Sequence, residues 1–327
     1  MKKIAIFDTA ESSRNIGDYI INESIENEMS FLFDNNYITR YATHTPVINF
    51  YQRNFDNPHT KYCQEADYRF IQGTNLLSTN LLKRYTTWNI NIFNYKPYVD
   101  SILIGCGMNP NSNKVNNYTK YIYKRVLSKN YIHSVRDERT KKFIESLGFR
   151  AINTGCPTLW SLTEEQCKKI PSKKSKNVIF TLTDYCRDIV NDKKMIDILM
   201  QNYEKVYFWI QGASDLDYFN EINNYSNIEI VAPNLKALKN IFLNGNIDYV
   251  GTRLHAGIYA MKNCIRSIIL IVDNRARDMK NSYNLIAIER KEIHKLEGII
   301  NSEFNTEINI NTSLIEEWKS QFKEKKR

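Results

Sequence analysis

The sequence predicts an α/β protein built of two doubly wound halves, each a parallel sheet covered on both faces. Three observations carry that expectation. Short apolar runs alternate with helical segments along the chain, the pattern of successive βαβ units. The chain has 327 residues, more than one ordinary domain of about 100–150 residues. And "PSKKSKN", residues 171–177, interrupts the alternation with Pro, Ser and Lys before it resumes, as a linker does. The organisation read from this is an N-terminal domain over residues 1–170, a C-terminal domain over 171–300, and a final helix over 301–327 that packs back on them, with a cleft between the two domains.

The elements follow in order. "KKIAIFD" is a first buried strand, and "IGDYIINESIENEM" has helical apolar spacing at Ile16, Ile20, Ile21 and Ile25. Residues 42–66 lack a period and read as a long loop or excursion. "DYRFIQG" and "DSILIGCG" are short strands that end in glycine. "YTKYIYKRVLS" is a helix and "YIHSV" a strand, in which His133 alternates with apolar neighbours as a structural residue does. "DERTKKFIESLG" is a helix closed by Gly148, and "RAINTG" is another strand. Beyond the linker, "NVIFTLT", "KVYFWIQG", "NIEIV", "IDYVGT" and "SIILIVD" are strands. "DKKMIDILMQNY", "SDLDYFNEIN", "LKALKNIFLN" and "LHAGIYAMKN" are the helices between them. "SLIEEWKSQFKEK" is amphipathic and could pack on either half.

Composition narrows the function. Hydrophobic residues make up 42%, enough for a normal core, and 45 basic residues against 36 acidic ones give a net charge of +9. A basic protein can meet nucleic acid, an anionic membrane or a phosphorylated small molecule. No block of five Lys/Arg marks a nucleic-acid arm, and the tail "KEKKR" reads as a solvated helix end. The six cysteines show no C-x-x-C pair, so neither zinc nor a redox motif is suggested, and scattered thiols suit a reducing cytoplasm. No apolar stretch approaches the length of a membrane span or a signal peptide.

In open α/β sheets ligands bind beyond the carboxyl ends of the strands. In the first half those ends carry Asp8, Gly73-Thr74-Asn75, Gly105, Gly107, Arg136-Asp137 and Gly155. In the second they carry Thr183-Asp184, Gln211-Gly212, Gly251-Thr252-Arg253-Leu254-His255 and Asp273-Asn274-Arg275. "GCGMNPN" is not a dinucleotide fingerprint, and no Walker-type motif occurs. Three arginines, Arg136, Arg253 and Arg275, stand just past apolar strands. Each could fork onto a carboxylate or phosphate of a ligand, or pair with an acid of the chain. Asp137 and Glu138 stand beside Arg136, and Asp273 and Asp278 stand near Arg275. His255 falls in the first turn of a helix, the position of an acid or base or of a hydrogen-bonded structural histidine. Neither a G-x-S-x-G elbow nor metal-ligand spacing is found.

At these residues the chain resembles the polysaccharide pyruvyl transferases. The resemblance lies in "NIGDYII" after the first strand, "GTNLL", "SVRDERT" followed by "LGFRAINTGCPTLW", and "GTRLHAGIYA" followed by "SIILIVDNRA". It spans most of the chain. It implies a GT-B-like architecture of two Rossmann-like domains and transfer of a pyruvyl group from phosphoenolpyruvate to two hydroxyls of a sugar, as a cyclic ketal. It implies that Arg136 and Arg253 hold the donor and that His255 is the general acid, which makes these three the expected catalytic set. Asn15, Gly17 and Asp18 of the first motif, with Gly73, Thr74, Asn75, Gly105, Gly107, Thr252, Leu254, Asn274 and Arg275, are then the expected substrate-binding residues. The family often has a lysine about twenty residues after its histidine; here Arg275 stands there, keeping the charge without the point geometry. The resemblance implies no metal or cofactor, a sugar or lipid-linked oligosaccharide acceptor, no nucleic acid, and a cytoplasmic protein in peripheral contact with the inner face of the membrane. Two other readings share the fold: a glycosyltransferase with a nucleotide-sugar donor, and a non-catalytic glycan-binding relative.

Overall fold

The computed structural model describes residues 1–54, 57–83, 87–108, 114–222 and 225–323, apart from the side chains of residues 53 and 54. Most of the "KEKKR" tail and the end of "GCGMNPN" therefore lie outside the described residues. The chain divides into two compact units. The first comprises Met1–Ser13, Ile21–Trp160 and Asn311–Arg327, and the second Arg14–Ile20 and Ser161–Ile310. Residues 171–177 thus fall inside the second unit.

The first unit is built on β1 (Lys3–Asp8), β2 (Tyr37–Ala42), β3 (Tyr68–Gln72) and β4 (Ile102–Ile104). They form one parallel sheet in the order β2-β1-β3-β4. Both faces of β1 are apolar because both are covered, the mark of a parallel sheet. Ile4 and Ile6 pack with Ile21 and Ile25 of α1 (Ile16–Glu28), with Leu32 and Phe33 of the short α2 (Ser30–Phe33), and with Phe70 and Ile104. Ala5 and Phe7 face the other way, toward Cys63 of α3 (Pro58–Glu65), Leu103, and Ile122 and Tyr123 of α4 (Asn117–Val126). Helix α3 replaces part of the irregular excursion expected over residues 42–66, and β2, which ends where that excursion begins, was not among the expected strands. Strand β2 escapes an apolar-run reading because every one of its residues is half-buried or exposed, as on an edge strand.

β5 (His133–Val135) and β6 (Ala151–Asn153) form a two-stranded parallel sheet around α5 (Glu138–Ser146). Side chains join β5 to β4. The Leu103 N–H donates to His133 Nδ1 at 3.2 Å, and the Gly105 N–H to Ser134 Oγ at 2.9 Å. The other ring nitrogen of His133 meets the Ser128 carbonyl at 2.9 Å, so it carries the proton and His133 is structural. Burial pushes its pKa down to about 4.

The second unit holds α6 (Glu164–Cys167) and a six-stranded parallel sheet. Its elements are β7 (Asn177–Thr181), α7 (Ile189–Asn202), β8 (Lys205–Trp209), α8 (Asp215–Ile222), β9 (Ile228–Val231), α9 (Leu235–Leu243), β10 (Ile247–Gly251), α10 (Leu254–Lys262), β11 (Ser267–Ile271), α11 (Asn274–Tyr283), β12 (Ala287–Glu289) and α12 (Leu296–Asn301). The strand order is β12-β11-β10-β7-β8-β9. From β7 the chain winds outward through β8 and β9, then returns to β10 and winds the other way, so the reversal falls between β7 and β10. That is the doubly wound dinucleotide-type strand order, a topology in which ligands generally bind at the switch point. The pair α11 and β12 extends the sheet beyond the last strand expected from sequence.

α13 (Thr312–Ser320) belongs to the first unit. Trp318, fully buried, donates its indole N–H to the Ile132 carbonyl at 2.7 Å, and Lys319 pairs with Glu28 at 2.6 Å. Both are tertiary contacts, so the amphipathic pattern alone left the choice of half open.

Candidate active site

The expected residues of the first unit converge on one spot beyond β3, β4 and β5. The Gly107 N–H donates to the Thr74 carbonyl at 2.8 Å, and the Arg136 N–H to the Cys106 carbonyl at 3.1 Å. Arg136 projects its guanidinium back over Gly107 onto the Asn75 side-chain oxygen. A side chain at Gly107 would collide with Arg136 and Asn75, and one at Gly73 would collide with the Gly105 backbone. Glycine is needed there for close approach. Asp137 lies 3.6 Å from Arg136 and caps α5 by accepting the Thr140 N–H at 2.7 Å. Thr140 in turn accepts the Met108 N–H at 3.2 Å. "SVRDERT" is thus a strand end, a cationic side chain, a helix cap and a tie to the neighbouring loop. Asp8 is buried in a turn, accepting the Ala10 N–H at 2.7 Å and pairing with Arg40 at 3.2 Å.

In the second unit the switch point is occupied by Arg253. It leaves β10 as the N-cap of α10 and is almost wholly buried. Its Nε donates to the Leu182 carbonyl at 2.9 Å and to Asp215 at 3.2 Å. Its Nη2 donates to Asp184 at 2.9 Å and to the second oxygen of Asp215. Asp215 also accepts the backbone N–H of Gly212 at 2.7 Å and of Asp184 at 3.2 Å. Burial pushes the Asp215 carboxyl above its ordinary value, against the pull of Arg253. Burial also opposes charge on Arg253, but Asp215 outweighs it and holds the guanidinium above the ordinary arginine range. Nη1 makes no hydrogen bond among the described residues.

Tyr185 links two of the three expected arginines. Its ring lies 5.0 Å from the Arg253 guanidinium carbon, and its hydroxyl accepts from Arg275 Nη2 at 2.9 Å. Arg275 also pairs with Asp273 at 2.7 Å, and Asp273 caps α11 through the Ala276 N–H at 3.0 Å. Burial works against charge on Arg275; Tyr185 and Asp273 outweigh it and keep it strongly basic. Asn274 is exposed and accepts from Arg277 at 2.6 Å, turned to its own helix rather than to Arg275.

Thr252 is buried, its hydroxyl 2.8 Å from that of Thr183, and its N–H donates to the Thr181 carbonyl at 3.2 Å. Leu254 opens α10 and His255 follows, buried in the first turn, where helix N–H groups favour an anion. Asn15 and Gly17 join this unit. The Asn15 side-chain oxygen accepts the Gly17 N–H at 3.0 Å and Gln211 Nε2 at 2.9 Å, and the Ile16 N–H donates to the Gln211 carbonyl at 2.9 Å. Gln211 leads into Gly212, where a side chain would collide with Arg253. Asp18 lies one residue further along the first turn of α1.

Each of the three arginines therefore faces an acid. For Arg136 and Arg275 the acid is a near neighbour in sequence. For Arg253 it is Asp215, 38 positions away. Sequence reasoning missed Asp215 and Tyr185. The only local signal for Asp215 was an acid three residues after a strand-end glycine, at a helix start. No cluster of three His, Cys, Asp or Glu side chains suited to a metal occurs among the described residues, and no helix among them is long and apolar enough to cross a membrane.

Comparison with known proteins bears on both fold and family. A family model described as polysaccharide pyruvyl transferase matches residues 15–274. A search of the curated proteins found no match. Among solved structures, the UDP-GlcNAc 2-epimerase of Methanocaldococcus jannaschii, solved with UDP-GlcNAc and UDP, is similar at 15% identity. The alignment covers 97% of this chain and 98% of that one, with a TM-score of 0.52. The UDP-GlcNAc 2-epimerase of Neisseria meningitidis, bound to UDP-GlcNAc, is similar at 12% identity over 93% and 95% of the two chains, with a TM-score of 0.47. At 15% identity the likeness to the Methanocaldococcus jannaschii structure is one of fold. The expected class, a GT-B-like protein of two Rossmann-like α/β units, is the observed one.

Proposed function

The chain belongs to the polysaccharide pyruvyl transferase family, and from that premise we propose that it moves a pyruvyl group from phosphoenolpyruvate onto two hydroxyls of a sugar in a cell-surface glycan precursor. The observation that carries this reading is the Arg253–Tyr185–Arg275 cluster at the switch point, with His255 two residues beyond Arg253. Phosphoenolpyruvate presents a carboxylate and a phosphate, which suit two guanidiniums and a helix N-terminus. Arg253 and Arg275 take those anionic groups. Arg136, carried over from the family's Val-Arg-Asp element, is a donor-binding arginine of the first unit.

The reaction balances as follows. The methylene carbon of the enol gains a proton and becomes a methyl group. One sugar oxygen bonds to the central carbon. Phosphate leaves that carbon with the electron pair of its C–O bond, and the second sugar oxygen closes the ring. Two hydroxyl protons are lost, one replacing the proton delivered to carbon and one leaving with phosphate. His255 delivers a proton to the enol carbon or to the departing phosphate, a contribution of about 10² to 10⁴ in rate for a positioned acid. No metal enters the scheme. The acceptor is a sugar, carried on a lipid diphosphate at the inner face of the membrane.

The test is phosphate release from phosphoenolpyruvate across a panel of free and lipid-linked sugars. We expect His255→Ala to lower turnover at least about 100-fold, and Arg253→Ala to abolish donor binding. Release indistinguishable from these two variants over the whole panel would overturn the reading.

A further inference from the structure

We propose that the exposed face of α4, with the two loops bonded to it, is the surface by which the protein docks on an anionic lipid bilayer. The charge is unevenly shared. The first unit holds 24 basic and 16 acidic residues, and the second 21 and 20, so nearly all of the +9 belongs to the first. Within it, residues 101–136 contain Lys114, Lys120, Lys124, Arg125, Lys129 and Arg136 and not one Asp or Glu.

Helix α4 sorts its residues cleanly. Thr119, Ile122, Tyr123 and Val126 are buried, while Lys120, Tyr121, Lys124 and Arg125 share the exposed face. Arg125 stacks on Tyr121 at 4.2 Å and on Tyr95 at 5.7 Å. None of Lys114, Lys120, Lys124, Arg125 and Lys129 makes an ion pair among the described residues. Elsewhere surface lysines such as Lys168, Lys295 and Lys323 have acids at hand.

Two loops place apolar residues beside these cations. The Leu81 N–H donates to Thr119 Oγ1 at 2.9 Å and Asn116 Nδ2 to Asn80 at 2.9 Å, which fixes Leu82, 66% exposed, next to the start of the helix. The Ile92 N–H donates to the Tyr118 hydroxyl at 3.0 Å, which ties the turn carrying Phe93, 49% exposed, to the same helix. A nucleic-acid backbone would take the cations and leave Leu82 and Phe93 in water. A bilayer with acidic headgroups takes both: phosphates meet the lysines, Tyr121 sits at the interface, and the two apolar side chains enter the acyl boundary.

The inference goes beyond pyruvyl transfer, and vesicle binding can succeed where transfer fails, or the reverse. The experiment is flotation of the full chain with phosphatidylcholine vesicles, with and without phosphatidylglycerol. We expect retention on the anionic vesicles only, weakening as salt rises. A cation near such a surface contributes about fivefold in partition, so Lys120→Glu with Lys124→Glu should lower binding at least about 25-fold. Leu82→Ser with Phe93→Ser should also lower it, with the salt dependence kept. Lys193→Glu with Lys194→Glu makes the same charge change on α7 and should leave binding within about twofold. Equal loss from both charge reversals, or no preference for the anionic vesicles, would overturn the proposal. So would a single-stranded RNA that strips the chain from vesicles at lower phosphate concentration than the lipid presents; that result would assign the face to nucleic acid.

Discussion

Asp215→Asn tests the central arrangement of the second unit with almost no change of volume. Four N–H donors converge on two carboxylate oxygens: Asp184 N–H at 3.2 Å and Arg253 Nη2 on one, Gly212 N–H at 2.7 Å and Arg253 Nε at 3.2 Å on the other. An amide keeps one oxygen and turns two N–H donors toward the remaining pair. One bond to the guanidinium is lost, at about 1.5–3 kcal/mol, together with one backbone bond, at about 0.5–1.5 kcal/mol. Arg253 keeps only the partly exposed Asp184 as a counter-charge. The total of about 2–4.5 kcal/mol overlaps the cost of about 3–5 kcal/mol for removing one partner of a buried ion pair. For a unit of this size that lowers Tm by roughly 4–18 °C. Calorimetry on the full chain reads it, and the double variant Asp215→Asn/Arg253→Met completes a thermodynamic cycle. We expect the double variant to recover part of the loss, because the stranded charge is gone. A single-variant loss below about 1 kcal/mol, or strictly additive effects, would refute the view that Asp215 holds Arg253.

Two further outcomes follow from the geometry. His133 is held neutral, its folded pKa pushed down to about 4 from 6.5. Its contribution is therefore fully present above the unfolded value and is lost as pH falls from about 6.5 to about 4, amounting to about 3 kcal/mol. Urea midpoints should fall as pH falls across that range, while the ring observed by NMR stays uncharged, with the proton on Nε2, until pH nears about 4; a ring titrating near its ordinary value in the folded protein would contradict this. Gly212→Ala forces the Arg253 guanidinium to move, since the added methyl collides with it. It should cost about 1–3 kcal/mol and weaken phosphoenolpyruvate binding in a thermal-shift titration, whereas an unchanged Tm would show that the guanidinium is not pinned there.

Much of the fold was legible in local pattern. Strands such as β1 and β11 announce themselves because a parallel strand covered on both faces is a continuous apolar run. The helix from Leu254 could be placed from its start. Strand β2 and helix α11 were not legible. The first is an edge strand with no buried residue, and the second buries only Ala276, so neither carries an apolar period. The candidate site divides in the same way. Arg136, Arg253, His255 and Arg275 could be named because the strand-end rule needs only the order of elements. Asp137 and Asp273, as partners of Arg136 and Arg275, were adjacent enough to be foreseen.

By itself, then, the sequence determined the α/β class, the strand ends and the charged groups standing on them, since apolar periodicity and turn chemistry act over a few residues. Only the tertiary structure decided that Asp215 and Asp184 grip Arg253, and that Tyr185 joins it to Arg275. It also decided that Asn15 serves the second unit and that the last helix serves the first. Those pairings join residues far apart in the chain. A buried guanidinium must find a counter-charge, and the strand order chooses which acid lies within reach.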